Sequence, residues 1–125
     1  MIRMAVPCCG GALEAEARFI GRDLWVVVLG GDSPHLGSVS IAIPRESLTS
    51  DGSVSATVST FNVTGHKDDI VGDLFAKRLS SEFNCKTSVT CGIHFDHADS
   101  SAIGQILRDA DILLERLAQA LRRPT

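Results

Sequence analysis

The hydrophobic period of this chain changes once, after residue 61, and that change limits the fold more than any other feature. Before it, apolar residues recur at every second position. Leu13, Ala15, Ala17 and Phe19 alternate with Glu14, Glu16 and Arg18, the pattern of a strand with one buried face. A turn at 21–23 leads into the apolar stretch 24–29, read as a more deeply buried strand. Val39, Ile41 and Ile43 alternate with small residues, and Pro44 is expected to end that strand. Residues 53–61 alternate Ser and Thr with Val and Ala and make a fourth strand. Four strands in succession predict an antiparallel meander.

Beyond residue 61 the period is helical. Ile70, Val71, Leu74, Phe75, Leu79 and Phe83 fall on one stripe. Residues 87–93 read as a fifth strand, and Asp99 suits the N-cap of a long second helix. Ile103, Ile106, Leu107, Ala110, Leu113, Leu114, Leu117 and Leu121 line one side of that helix. The order ββββαβα predicts an α+β two-layer sandwich, a mainly antiparallel five-stranded sheet with two helices on one face. The 125 residues show no internal repeat and no low-complexity linker, so residues 1–125 are expected to form a single domain. Residues 1–11 are expected to be a poorly ordered N-terminal segment. The Ser/Thr side of 53–61 is neither charged nor bulky, and such a face can meet a second copy of itself. A homodimer is therefore expected.

Charge excludes some partners. Twelve Lys and Arg against fifteen Asp and Glu give a formal net charge of −3, with no long basic run. That argues against nucleic acid. Arg122 and Arg123 read instead as cations closing a helix, where they suit its dipole. No apolar run is long enough for a bilayer, and the first sixteen residues lack the apolar core of a secretion signal. No membrane association and a cytoplasmic location are the expectations. The four cysteines are then expected to be thiols. Their spacing contains no CxxC, which argues against a zinc knuckle or thioredoxin-like site.

Three of the four histidines sit at two junctions between elements. TGHKDD (64–69) stands where the first helix should begin. The first N–H groups of a helix lack internal partners and form a phosphate seat. Lys67 adds a full charge to it. Asp68 and Asp69 favour the helix dipole but oppose an anion unless a cation intervenes. GIHFDH (92–97) ends the fifth strand and puts His94 and Asp96 on one side. A histidine and a carboxylate two apart can form a hydrogen-bonded pair or share a divalent metal ion. The glycine-rich loop 30–37 adds His35 beside Pro34. No HExxH, GxSxG, Walker loop or GxGxxG occurs. Ser33 with His35, and Cys91 with His94, lack the flanking signatures of a nucleophile and base.

Taken together, SPHLGSVSIA (33–42), TGHKDD before a helix, and TCGIHFDHAD (90–99) resemble the LpdD-like prenylated flavin chaperone family. These small proteins accompany UbiD-type decarboxylases, gallate decarboxylase among them. The resemblance covers residues 14–121 and does not include Cys8 and Cys9. It implies a non-catalytic carrier that binds prenylated FMN, or FMN, and helps deliver it to a UbiD-type decarboxylase. A flavin prenyltransferase is a further implied partner. The family's motif positions carry over as His35, Gly65, His66, Lys67, Asp68, Asp69, His94 and Asp96. Phe95 and His97 carry less weight. Two rival readings are a metal-dependent enzyme built on His35, His66, His94 and nearby aspartates, and a cofactor-free interaction module like the proteasome-assembly chaperones.

Overall fold

The computed structural model of the protein describes residues 1–49, 51–63 and 68–123. Six strands form one sheet: β1 (Ile2–Cys8), β2 (Gly11–Ile20), β3 (Asp23–Gly31), β4 (Ser38–Glu46), β5 (Val54–Asn62) and β6 (Thr87–His94). Two helices, α1 (Asp68–Phe83) and α2 (Ser100–Arg122), lie against one face. The two-layer α+β class is as expected, with one strand more.

The additional strand corrects the expectation of a poorly ordered N-terminal segment. β1 pairs antiparallel with β2 from Ile2↔Ala17 to Cys8↔Gly11. Val6 and Cys8 are buried, so the strand contributes to the core. Pro7 lacks a backbone donor, which an edge strand tolerates.

The expected four-strand meander is also corrected. The sheet order is β1-β2-β3-β6-β4-β5. β1–β2–β3 is a meander and β4–β5 a separate hairpin, with β6 between them. β6 runs parallel to β3 and antiparallel to β4. A parallel pair needs a long crossover, here supplied by β4, β5 and α1. Pro44 does not end β4, which continues to Glu46. The pairing with β6 stops at Ala42↔Thr87, so the proline falls where that side of β4 is already bare.

The core lies between the sheet and the helices. Leu13, Ala15, Ala17, Leu24, Val26, Val28 and Val89 point inward from the sheet. Val71, Phe75, Ala76 and Leu79 of α1 and Leu113, Leu114, Leu117 and Leu121 of α2 cover them. The predicted α1 stripe is narrower than drawn, since Ile70 and Leu74 are exposed. Gly72, Ala76 and Ser80 complete the buried face. As predicted, Asp99 caps α2, its side chain accepting from Ala102 N at 2.8 Å. Arg122 at the far end of α2 forms a two-point pair with Glu82 at 2.7 and 2.8 Å, tying α2 to α1.

On β4 the buried residues are the small ones, Ser38, Ser40 and Ala42. A Cβ on Gly72 would lie 3.1 Å from both the Ser38 and Ser40 hydroxyls. α1 therefore sits close on this part of the sheet because neither side presents bulk. Ile41 (51% exposed), Ile43 and Phe61 (71%) point to the opposite, open face, alongside the half-buried Trp25, Val27 and Val39.

Candidate functional site

Loop 32–37, the start of α1 and the end of β6 meet at one end of the sheet. β4 stops pairing with β6 at Ser38↔Cys91, and Gly37 N donates to Cys91 O at 3.0 Å. Two residues past Cys91, on the side away from β3, no strand faces Ile93. Its N–H instead donates to Asp68 Oδ1 at 2.9 Å. A side-chain carboxylate takes the place of the missing ladder partner. The other oxygen, Oδ2, lies 3.1 Å from His35 Nε2. His35 Nδ1 lies 3.0 Å from the Ser33 carbonyl. Both ring nitrogens thus face oxygen atoms.

Asp68 is only 4% exposed, and buried carboxylates need such partners. Two glycines make the arrangement possible by lacking side chains. A Cβ on Gly37 would fall 2.0 Å from Asp68 Oδ2, and one on Gly92 would fall 1.4 Å from the His35 carbonyl oxygen. Loop 32–37 therefore lies directly on β6 and delivers His35 to the first residue of α1.

A second set of contacts ties the loop to the segment after β6. Asp32 N donates to His94 O at 2.7 Å, and Asp96 N donates to Asp32 Oδ2 at 2.9 Å. His94 Nε2 and Asp96 Oδ1 are 3.1 Å apart, the pair that their spacing predicted. Among the described residues no group of three or more His, Cys, Asp or Glu side chains gathers where a metal ion could sit.

Between the first turn of α1, the end of β6 and the first half of α2 lies a cavity of about 480 Å³. Val71, Ile93, Phe95, Ala98, Ile103, Ile106 and Leu107 give it apolar walls; Asp68, His94 and His97 give it polar edges. Its volume falls in the usual range for small-molecule pockets, roughly 300–1,000 Å³. Ile103, Ile106 and Leu107 are less buried than the rest of the α2 stripe because they face this space. His97 has a left-handed backbone, φ 58°.

Of the residues expected at the site, His35 and Asp68 are in contact, and so are His94 and Asp96. Asp68 and His94 both line the cavity. Asp69 is half-buried in the first turn of α1. Gly65, His66 and Lys67 lie outside the described residues. Phe95 and His97, given less weight in the sequence, line the cavity as well. Cys91 points into the core at 0% exposure, and burial pushes its thiol up, with the nearby Asp68 charge adding to the shift. That removes the Cys91–His94 reading. For Ser33, the carbonyl rather than the hydroxyl meets His35.

Sequence reasoning also missed Asp73, which accepts from Ser40 Oγ at 2.8 Å and from the Thr60 hydroxyl. These bonds clip α1 to β4 and β5. The one signal was the run of small hydroxylated residues on both strands.

The architecture is an open sheet backed by two helices, a two-layer α+β fold. It matches a chain in the crystal structure of a novel chaperone complex for yeast 20S proteasome assembly, with a TM-score of 0.59. That match covers 97% of this chain and 93% of the other at 20% identity, which shows the fold alone. The sequence pattern of the prenylated flavin chaperone LpdD-like domain matches residues 9–122. Protein LpdD of Lactiplantibacillus plantarum (strain ATCC BAA-793 / NCIMB 8826 / WCFS1) is 30% identical over 115 residues, 90% of this chain and 79% of its own length. The chain belongs to the LpdD-like family of prenylated flavin chaperones. Among the described residues no helix is long and apolar enough to cross a membrane.

Proposed function

We propose that this protein is a non-catalytic carrier that binds prenylated FMN and hands it to a UbiD-type decarboxylase. The cavity between α1, β6 and α2 is the observation that carries the reading. Its walls suit a flat apolar ring system, with Phe95 as the aromatic surface. Its edge adjoins the start of α1, where helix N–H groups favour a phosphate, and Lys67 is the cation placed by sequence beside it. The acidic first turn is less hostile to an anion than it looks, since the Asp68 carboxylate is already held by His35 and the Ile93 N–H.

Bound here, the cofactor would keep the redox chemistry that belongs to its ring. The chain's own part is to hold the ring away from water and to leave it releasable. Unmodified FMN offers the same phosphate and much of the same ring. The residues suit a divalent metal less well. Among the described residues His94 and Asp96 supply two donors, fewer than the three or four that zinc takes from protein, and we derive no step through a metal.

We extend the proposal to assembly and place. A second copy packs on the open sheet face, because Trp25, Val39, Ile41 and Phe61 form an apolar surface there. The carrier works in the cytoplasm, a reading supported by four unpaired thiols. A flavin prenyltransferase loads it.

The test is co-expression with a flavin prenyltransferase, anaerobic purification and native mass spectrometry. The expected result is a non-covalent complex with the mass of prenylated FMN. Lys67→Ala should weaken binding about ten- to hundredfold, the loss of one charge-assisted contact. Colourless protein with no flavin mass would overturn the carrier reading.

A further inference from the structure

The two adjacent cysteines at the β1–β2 turn take no part in the cavity chemistry, yet their thiols are brought together. Neighbouring residues of a strand point to opposite faces. Here the Cys8 and Cys9 sulfurs are only 3.8 Å apart. The cause is the backbone. Cys9 and Gly10 form a two-residue hairpin turn with φ of 49° and 78°, closed by the pair Cys8↔Gly11. Such a turn favours Asn-Gly, since both residues need positive φ. Cysteine is a poor choice for the first position on backbone grounds, and its left-handed conformation is what swings the thiol back toward Cys8.

We propose that Cys8 and Cys9 form a chelating dithiol for one three-coordinate thiophilic centre of the trivalent-arsenical type. Bonds of about 2.3 Å to each sulfur, typical of a metal thiolate, span 3.8 Å at an angle of roughly 110°. The third ligand is the centre's own, because no group of three protein donors forms among the described residues. That same lack disfavours zinc, which takes four. A disulfide is disfavoured as well. Across a trans peptide the two Cα atoms are about 3.8 Å apart, closer than the usual range of roughly 4.4–6.8 Å for a bridged pair.

The order of capture follows from exposure. Cys9 is exposed, with its sulfur 3.9 Å from the Ala102 carbonyl of α2. Cys8 is 3% exposed, and burial, then Asp109, pushes its thiol up. Cys9 therefore makes the first bond and Cys8 closes the ring. With a hydrated arsenical, two S–H and two As–OH bonds are exchanged for two As–S bonds and two waters, and no electrons move.

Phenylarsine oxide is the probe, added to the full chain in excess monothiol and followed by intact mass. The expected result is one phenylarsenic adduct that survives the monothiol and is stripped by a competing dithiol. Cys9→Ser and Cys9→Asn should each weaken capture at least tenfold, and Cys85→Ser should leave it unchanged. Cys9→Asn suits the turn better than cysteine, so its thermal midpoint should hold or rise, which separates lost chelation from lost folding. An adduct that persists in Cys9→Asn, or a parent chain that takes up no more arsenical than this variant, overturns the proposal.

Discussion

The two halves of the sheet treat their faces in opposite ways. Under α2, strands β1 and β2 send Val6, Cys8, Leu13, Ala15 and Ala17 inward and turn Arg3, Glu14, Glu16 and Arg18 outward. This is the ordinary division of a sheet with one wet side. Under α1, β4 sends Ser38, Ser40 and Ala42 inward and turns Ile41 and Ile43 outward, with Phe61 of β5 beside them. The first half is held by apolar bulk. The second is held by close approach of Gly72 and by the clip from Ser40 and Thr60 to Asp73. An apolar outer face over a polar inner one makes sense when the outer face is also covered. In the proposed homodimer, burial of the β4–β5 side would be shared between a helix of this chain and the second copy.

The largest test of this contrast is a charge on the open face. Ile41→Asp should weaken a homodimer by about 3 kcal/mol, roughly a hundredfold, since a lone carboxylate in a dry interface is poorly solvated. Light scattering across a dilution series reads the effect. A parent chain that is monomeric at every concentration would end the two-sided account of β4.

Next in size is the seat of α1. Gly72→Leu must displace the Ser38 and Ser40 hydroxyls or lift the helix, with an expected cost of about 1–3 kcal/mol and a melting point lower by several degrees. Gly104→Ala on α2 is the control. A Cβ there meets only the end of Arg108, at 3.4 Å, so the change should stabilise by about 0.5–1 kcal/mol. Equal effects at both glycines would show that α1 and α2 are seated alike.

The smallest effect concerns the tie between the halves. The Arg122 hydrogen bonds hold the Glu82 carboxyl below the usual carboxylate range, against a smaller opposing effect of burial. A lowered value in the folded state means the contribution is fully present above the ordinary 4.5 and fades as pH falls from there through the folded value. Glu82→Gln should therefore cost about 0.2–1 kcal/mol at pH 7 and nothing in acid below both values. Thermal melts of both proteins at several pH values check this. A cost that does not change with pH would mean packing rather than charge.

Sequence alone was informative where the cause is local. The alternation at 13–19, the period change after 61 and the Asp99 cap each depend on neighbours within a turn or a strand, and each is present. What eluded it depends on distant partners. β1 does alternate, with Ile2, Met4, Val6 and Cys8 on one face, but the run is short and holds a proline, and its pairing with β2 and cover from α2 secure it as a strand. The insertion of β6 between β3 and β4 leaves no local mark. Asp68 reads as a helix-dipole residue, and its use in place of a β4 partner at Ile93 arises only because the β4–β6 pairing ends at Cys91, two residues short. The same holds for the cavity, whose walls come from α1, β6, α2 and the turn between the last two.

The central position of β6 has a consequence for synthesis. The first three strands can pair as they leave the ribosome, and so can the β4–β5 hairpin. Neither unit can join the other until residues 87–94 have emerged, because the strand that links them is the last one made. During that interval β3 and β4 each expose a bare edge, and bare edges recruit other chains. A nascent chain halted before Thr87 is thus two adhesive fragments, and one extended past His94 can join them into a single six-stranded sheet.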